Sequence, residues 1–306
     1  MPDLILHHYA LSPFSAKVRA MLGSAQLSWR SAVTREFPPR PVLAQLAGGY
    51  RRIPVAQIGA DIFCDSKVIA EEIAALSGHA ALSLEHCSDE VRAYAREVDL
   101  KIFLACMMSA GGASLLRTMG SSMNPFDLLR ALWDRVQIGR KSSVKLGDLG
   151  RPRQRVLAHL AGVEQRLRQH PFLFGAEPNH ADFSTYHSLW FMRDLGASSL
   201  IDPFPETIAW MERIKAFGEG QREEISPDET LAVAKGASPR PILDEHRADP
   251  SIGRPVRIGP ADYAQGRTAG TLVGATASRW ILAREPAGLG TLHVHFPRTG
   301  YELLPA

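Results

Sequence analysis

The chain begins with the apolar run Leu4-Ile5-Leu6 and then passes into Ser12-Pro13-Phe14-Ser15-Ala16-Lys17-Val18-Arg19. That handover constrains the fold more than any other stretch. Ser12 suits an N-cap, Pro13 suits the first helical position, and Phe14, Val18, Met21 and Leu22 recur at helical spacing. The spacing predicts a strand that gives way to a helix at Ser12. The first turn of such a helix offers unpaired N–H groups and the positive end of the helix dipole, a setting that suits a thiolate, phosphate or carboxylate. From this helix alone, the plain reading of Ser12 is a cap.

A second block narrows the choice. Ile53-Pro54-Val55-Ala56-Gln57-Ile58 reads as a short strand, Gly59-Ala60 as a hairpin loop and Asp61-Ile62-Phe63-Cys64 as the partner strand. Asp65-Ser66 then opens an amphipathic helix with Val68, Ile69, Ile73 and Leu76 on its apolar face and Glu71 and Glu72 expected outward. A proline heading a strand implies an edge position or a cis bond in a tight turn. Leu27 to Val33 is the expected second strand, followed by the proline-broken segment Glu36 to Pro41.

In this order and spacing, the segments resemble the thioredoxin-fold half of the glutathione transferase superfamily. SPFSAKVR is similar to the family's serine active-site segment, Ile53-Pro54 to its apolar-residue and cis-proline pair, and Asp65-Ser66 to its γ-glutamyl-binding dipeptide. Asn179-His180-Ala181-Asp182 resembles the capping box of the family's helical domain, with Asn179 in place of the usual Ser or Thr. The resemblance covers residues 1 to about 225. It implies an α/β thioredoxin-like N-terminal domain followed by an all-α domain, glutathione as co-substrate, a small hydrophobic electrophile as second substrate, and a homodimer.

Helical periodicity supports the second part. Val91, Tyr94, Ala95, Val98, Phe103, Leu104 and Met107 keep helical spacing up to Gly111-Gly112. Further helices are expected around Phe126 to Val136, Gln154 to Arg168, after Asn179, and, as the last, Glu206 to Phe217. From about Ser238 the chain turns rich in proline and glycine. It then gives strand candidates at Val256 to Ile258, Thr268 to Val273, Arg279 to Ala283 and Thr291 to Phe296. The expected division is a thioredoxin-like domain at 1–80, a helical domain at 88–225 and a small β-rich module at 238–306, which the resemblance does not cover.

A formal net charge of +3, without a basic stripe, gives no reason to expect a nucleic-acid partner. Met1-Pro2-Asp3 lacks a signal-peptide start and no apolar run reaches membrane-spanning length, so a cytoplasmic protein with no membrane partner is expected. Cys64, Cys87 and Cys106 are too scattered for a CxxC motif and are expected as free thiols. His293 and His295 share a strand face but fall short of a zinc ligand set, and no metal is expected.

The resemblance makes glutathione's thiol the nucleophile, so the protein must favour its thiolate. Lowering a thiol pKa from about 8.5 by roughly two units needs about 2.7 kcal/mol. A hydrogen bond to a charged group contributes about 1.5–3 kcal/mol and a helix terminus about 0.3–2 kcal/mol, which together suffice. Three hydroxyls compete for that bond: Ser12, in the position of the first cysteine of a redox motif; Ser15, one turn on; and Tyr9, at the end of the first strand. By the resemblance, the backbone of Ile53 beside cis Pro54 would pair with the cysteinyl unit and Asp65 and Ser66 with the γ-glutamyl end. One of Arg40, Arg51 and Arg52, with Arg52 preferred, would meet the glycyl carboxylate. Met107, Met108 and Trp133 are candidates either for lining the electrophile pocket or for packing in the core. A non-catalytic binding protein that docks a partner through the β module is the alternative.

Overall fold

The computed structural model describes residues 3–112, 114, 115, 117, 120, 125–141 and 150–306. Met1 and Pro2, read above with Asp3, lie outside them. Strand β1 (Leu4–His8) is buried along its whole length, because it pairs on both sides: parallel with β2 (Ser28–Val33) and antiparallel with β3 (Val55–Ile58). The expected hairpin joins β3 to β4 (Asp61–Cys64). Helix α1 (Pro13–Ser24) starts at the Ser12 cap and α3 (Ser66–Ser77) at the Asp65 cap. The proline-broken segment ends in a short helix, α2 (Pro41–Ala47), with Pro41 at its first position, where the missing N–H costs no hydrogen bond.

The helical half follows. Helix α4 (Asp89–Glu97) continues through a π-helical turn, Val98–Ile102, into α5 (Phe103–Ser109); α6 is Pro125–Lys141 and α7 is Pro152–Leu167. The α7 stripe Val156, Leu160, Val163 and Leu167 is buried as its period predicts. Helix α8 (His180–Trp190) begins with the expected capping box: Asn179 accepts from the Ala181 N–H and Asp182 from the Asn179 N–H. Asp182 also accepts from the Leu173 N–H at 2.9 Å and from Nε1 of the fully buried Trp210 at 3.0 Å. The box thereby ties α8 to α9 (Pro205–Ala216). No helix among the described residues is long and apolar enough to cross a membrane.

The chain then returns to the first sheet. Strand β5 (Gln221–Glu224) adds parallel to β2, and α10 (Pro227–Lys235), with its Ser226/Glu229 capping box, follows the helix expected to be last. The β-rich module is present as β6 (Pro255–Pro260), β7 (Thr268–Ala275), β8 (Arg279–Arg284), β9 (Leu292–Pro297) and β10 (Tyr301–Pro305). It is continuous with the N-terminal sheet. Strand β9 pairs in parallel with β4, Ile62 opposite Val294 and Phe63 opposite His295, giving ten strands in the order β10-β6-β7-β8-β9-β4-β3-β1-β2-β5.

Two expectations are corrected here. Glu72 is buried and Glu71 half-buried, because the β module covers that face of α3. Arg279 donates to Glu71 and, from Nη1 at 2.6 Å, to Glu72; Arg240 Nη1 reaches Glu72 at 3.0 Å. Helical periodicity identifies an apolar face and is blind to what covers the polar one. Met107, Met108 and Trp133 are 40%, 46% and 61% exposed, which corrects the core-packing reading of these three.

Candidate active site

A cavity of about 520 Å³, within the usual range for small-molecule sites, lies where α1, the head of β3 and the start of α3 meet the helical half. Its lining brings together Phe14, Arg52, Ile53, Pro54, Asp65 and Ser66. The Ile53–Pro54 bond is cis. Asp65 caps α3 with φ +83°, a conformation that costs a non-glycine residue about 1–3 kcal/mol and concentrates at functional sites. Its carboxylate is held by two donors, the Lys67 N–H at 3.0 Å and the Tyr301 hydroxyl at 2.9 Å. The Tyr50 hydroxyl lies 3.1 Å from that of Tyr301, extending the chain from the cap through β10 to the segment after α2.

The three candidate hydroxyls stand at the same end of α1 but outside the cavity lining. Ser12 is 2% exposed and its Oγ accepts from the Ser15 N–H at 3.2 Å, a bond that fixes the helix start and leaves the hydroxyl proton available. The Ser15 side chain is fully buried with its Oγ unpaired, and Tyr9 is half-buried at the end of β1. Cys64 and Cys106 are buried, and burial pushes the Cys106 thiol up to about 12, so it stays a thiol at neutral pH.

Beneath Phe14 runs a charged cluster that sequence reasoning missed. The Lys17 ammonium, wholly buried, meets both oxygens of Asp99 at 3.1 and 2.8 Å, and His187 Nε2 meets Oδ1 at 3.2 Å. Burial works against ionising Asp99, but Lys17 and the His187 hydrogen bond outweigh it and hold the carboxyl far below its usual range. Burial lowers His187, which is therefore neutral at pH 7 and donates through Nε2. Asp99 sits in the π-helical turn and lines the cavity. The available signal was Lys17 itself, a lysine placed between Phe14 and Met21 on the apolar face of α1.

The cavity's other wall comes from the C-terminal strands, through Ala261, Asp262 and Tyr263 after β6 and Thr299 and Gly300 before β10. The loop can lie this close because Gly49 has no side chain: a Cβ there would stand 2.0 Å from the Arg267 carbonyl oxygen. Each arginine proposed for a ligand carboxylate has an internal partner. Arg40 donates to the carbonyls of Arg35, Glu36 and Arg51; Arg51 pairs with Asp134 at 2.5 Å; Arg52 binds Asp262 and the Tyr263 carbonyl. Lys67 and Arg96 are the other cations lining the cavity.

Comparisons with known proteins bear on the family and the fold. Two family models match, the glutathione S-transferase N-terminal domain over residues 6–80 and the glutathione S-transferase C-terminal domain over residues 151–213. No curated protein matches. Among solved structures, a GST-like protein from Pseudomonas syringae is 30% identical, covers 98% of this chain and 99% of its own, and superposes with a TM-score of 0.81. Glutathione S-transferases from Rhodospirillum rubrum F11 and Sinorhizobium meliloti 1021 are 18% and 19% identical. Each match covers 70% of this chain and 88% of the other, both with a TM-score of 0.48. With a 30% identical relative aligned along nearly its whole length and both domain models in register, the chain belongs to the glutathione S-transferase superfamily.

Proposed function

We propose that this protein is a glutathione transferase that binds glutathione in the cavity between α1 and α3 and presents its thiolate to a small apolar electrophile. The observation that carries the reading is the convergence of Ile53, cis Pro54, Asp65 and Ser66 on one cavity, beside the N-terminus of α1. The γ-glutamyl carboxylate would lie against Ser66 and the first turn of α3, its ammonium against Asp65, and the cysteinyl backbone against Ile53. Ser12, whose proton is not used by the cap, would donate to the sulfur, with Tyr9 and Ser15 as the competing donors. The cytoplasm is its proposed location. A homodimer is the proposed assembly, and exposed Phe126, Leu129, Trp133 and Val136 on α6 are apolar surface such an assembly could cover.

The test is direct. Calorimetry with reduced glutathione should give saturable binding to the full chain. Ser12→Ala should keep that binding while the pKa of the bound thiol, read from thiolate absorbance, rises by one to two units, about 10- to 100-fold less thiolate at a fixed pH below both values. An unchanged thiol pKa in Ser12→Ala would pass the role to Tyr9 or Ser15, whose Phe and Ala variants discriminate them.

A second reading, a non-catalytic binding protein, draws on the near-complete burial of Ser12 and on the C-terminal residues that share the cavity. Glutathione binding with an unperturbed thiol pKa and no turnover of any electrophile would favour it.

A further inference from the structure

The position of Arg52 carries one step more. Its guanidinium is nearly enclosed: Nη2 donates to Asp262 Oδ1 and to the Tyr263 carbonyl, the Tyr263 ring stacks 4.0 Å from its centre, and Nη1 lies 4.0 Å from Asp65 Oδ2. Nε has no partner, and it is buried. A carboxylate is gripped by a guanidinium through two adjacent N–H groups, and both such edges include Nη2, which Asp262 and Tyr263 already hold. Asp262 is thus a carboxylate supplied by the chain itself, at the cation a ligand's carboxylate would seek.

We infer that Asp262 is a specificity-determining residue: by occupying Arg52 it removes the grip on the glycine carboxylate. The site then recognises a γ-glutamyl thiol by its γ-glutamyl and cysteinyl parts alone. This rests on the glutathione reading of the cavity. The remaining groups that the glutathione reading assigns to the ligand are Asp65, Ser66 and the Ile53 backbone, and none of them addresses the far end of the tripeptide; Lys67 and Arg96 line the cavity too, and a glycine carboxylate held by either would show as a wild-type preference for glutathione. Asp262 lies outside the stretches that match the two transferase domain models, so the selectivity is a property of the C-terminal strands.

The experiment compares two ligands, reduced glutathione and γ-glutamylcysteine, which lacks the glycine, by titration calorimetry on the full-length chain. The wild-type protein should bind both within about twofold of each other. Asp262→Ala frees Arg52, and glutathione should then be preferred by about tenfold or more, the size expected of a charge-assisted hydrogen bond to a carboxylate. The double variant Arg52→Gln/Asp262→Ala should return to the wild-type ratio, which separates the freed guanidinium from a general loosening of the loop. A wild-type protein that already prefers glutathione tenfold, or an Asp262→Ala variant that binds both thiols with the wild-type ratio, overturns the inference and leaves the glutathione reading standing. If neither thiol binds wild type or variant, the glutathione reading fails and the inference falls with it.

Discussion

The two edges of the N-terminal sheet are closed in opposite ways. At one, β5 adds the four residues Gln221 to Glu224, all exposed and three of them charged. At the other, β9 adds six residues that are all buried, and four further strands follow behind it. The first is a charged border, the arrangement that stops a sheet from recruiting another strand. The second builds a core in which Ile62, Val294, Phe296 and Tyr301 pack with Leu43 and Leu46 of α2. Only the second edge reaches the cavity, through the Asp262-Tyr263 loop and the Tyr301 hydroxyl. Closing a sheet and equipping a site are separate tasks, and this chain does both on one side.

The contrast can be broken where it is steepest. Phe296→Ala, at a fully buried β9 position, should cost about 3–5 kcal/mol in urea unfolding. Arg279→Met should cost a similar ~3–5 kcal/mol, because it leaves Glu71 and Glu72 under the module without their main partner. A loss below about 1 kcal/mol in both would mean that the module is only loosely attached.

Acid should act next. Burial lowers His7 and His159 to about 4 and His8 and His180 to about 3, while in the unfolded chain they titrate near 6.5. A depressed histidine stabilises the fold fully above the unfolded value and loses that contribution as pH falls. The unfolding free energy should therefore decline from pH 6.5 towards 4, by at least one histidine's share, about 1.4 kcal/mol per pH unit. Unfolding curves at pH 7.5, 6 and 5 check this, and a flat profile would show that these rings are solvated. The smallest effect belongs to the other edge: Glu223→Ala in β5 should change stability by no more than about 0.5 kcal/mol.

What could be read from the sequence was local. The Ser12 cap, the β3–β4 hairpin, Asp65-Ser66 and the Asn179 capping box announce themselves through neighbours a few residues away. The β6 to β9 strands were visible as short β-rich runs. Strand β5 was not, since Gln221-Arg222-Glu223-Glu224 has no apolar alternation and is a strand only because the edge of β2 accepts it. Helix α10 carries a legible local signal in the Ser226 and Glu229 capping pair. In the candidate site, the cavity-lining residues of the first domain were legible, whereas the partners that surround them were not. Asp262 meets Arg52, and Tyr301 meets Asp65, across the sheet that β9 extends from β4, a long-range pairing that local sequence does not carry.

That docking also sets a schedule. Strand β4 is an interior strand of the finished sheet, yet its partner β9 is made only after residues 65 to 291. At about 5–20 residues per second of synthesis, β4 waits roughly 10–45 s with an open hydrogen-bonding edge. Until residue 240 is made, Asp61 has neither of its later donors, the Arg240 N–H at 2.9 Å and His295 at 2.8 Å, and is a charge on the open strand. A charge on an open edge discourages pairing with another nascent chain. The residue that anchors β9 is thus placed to guard the edge until that strand arrives.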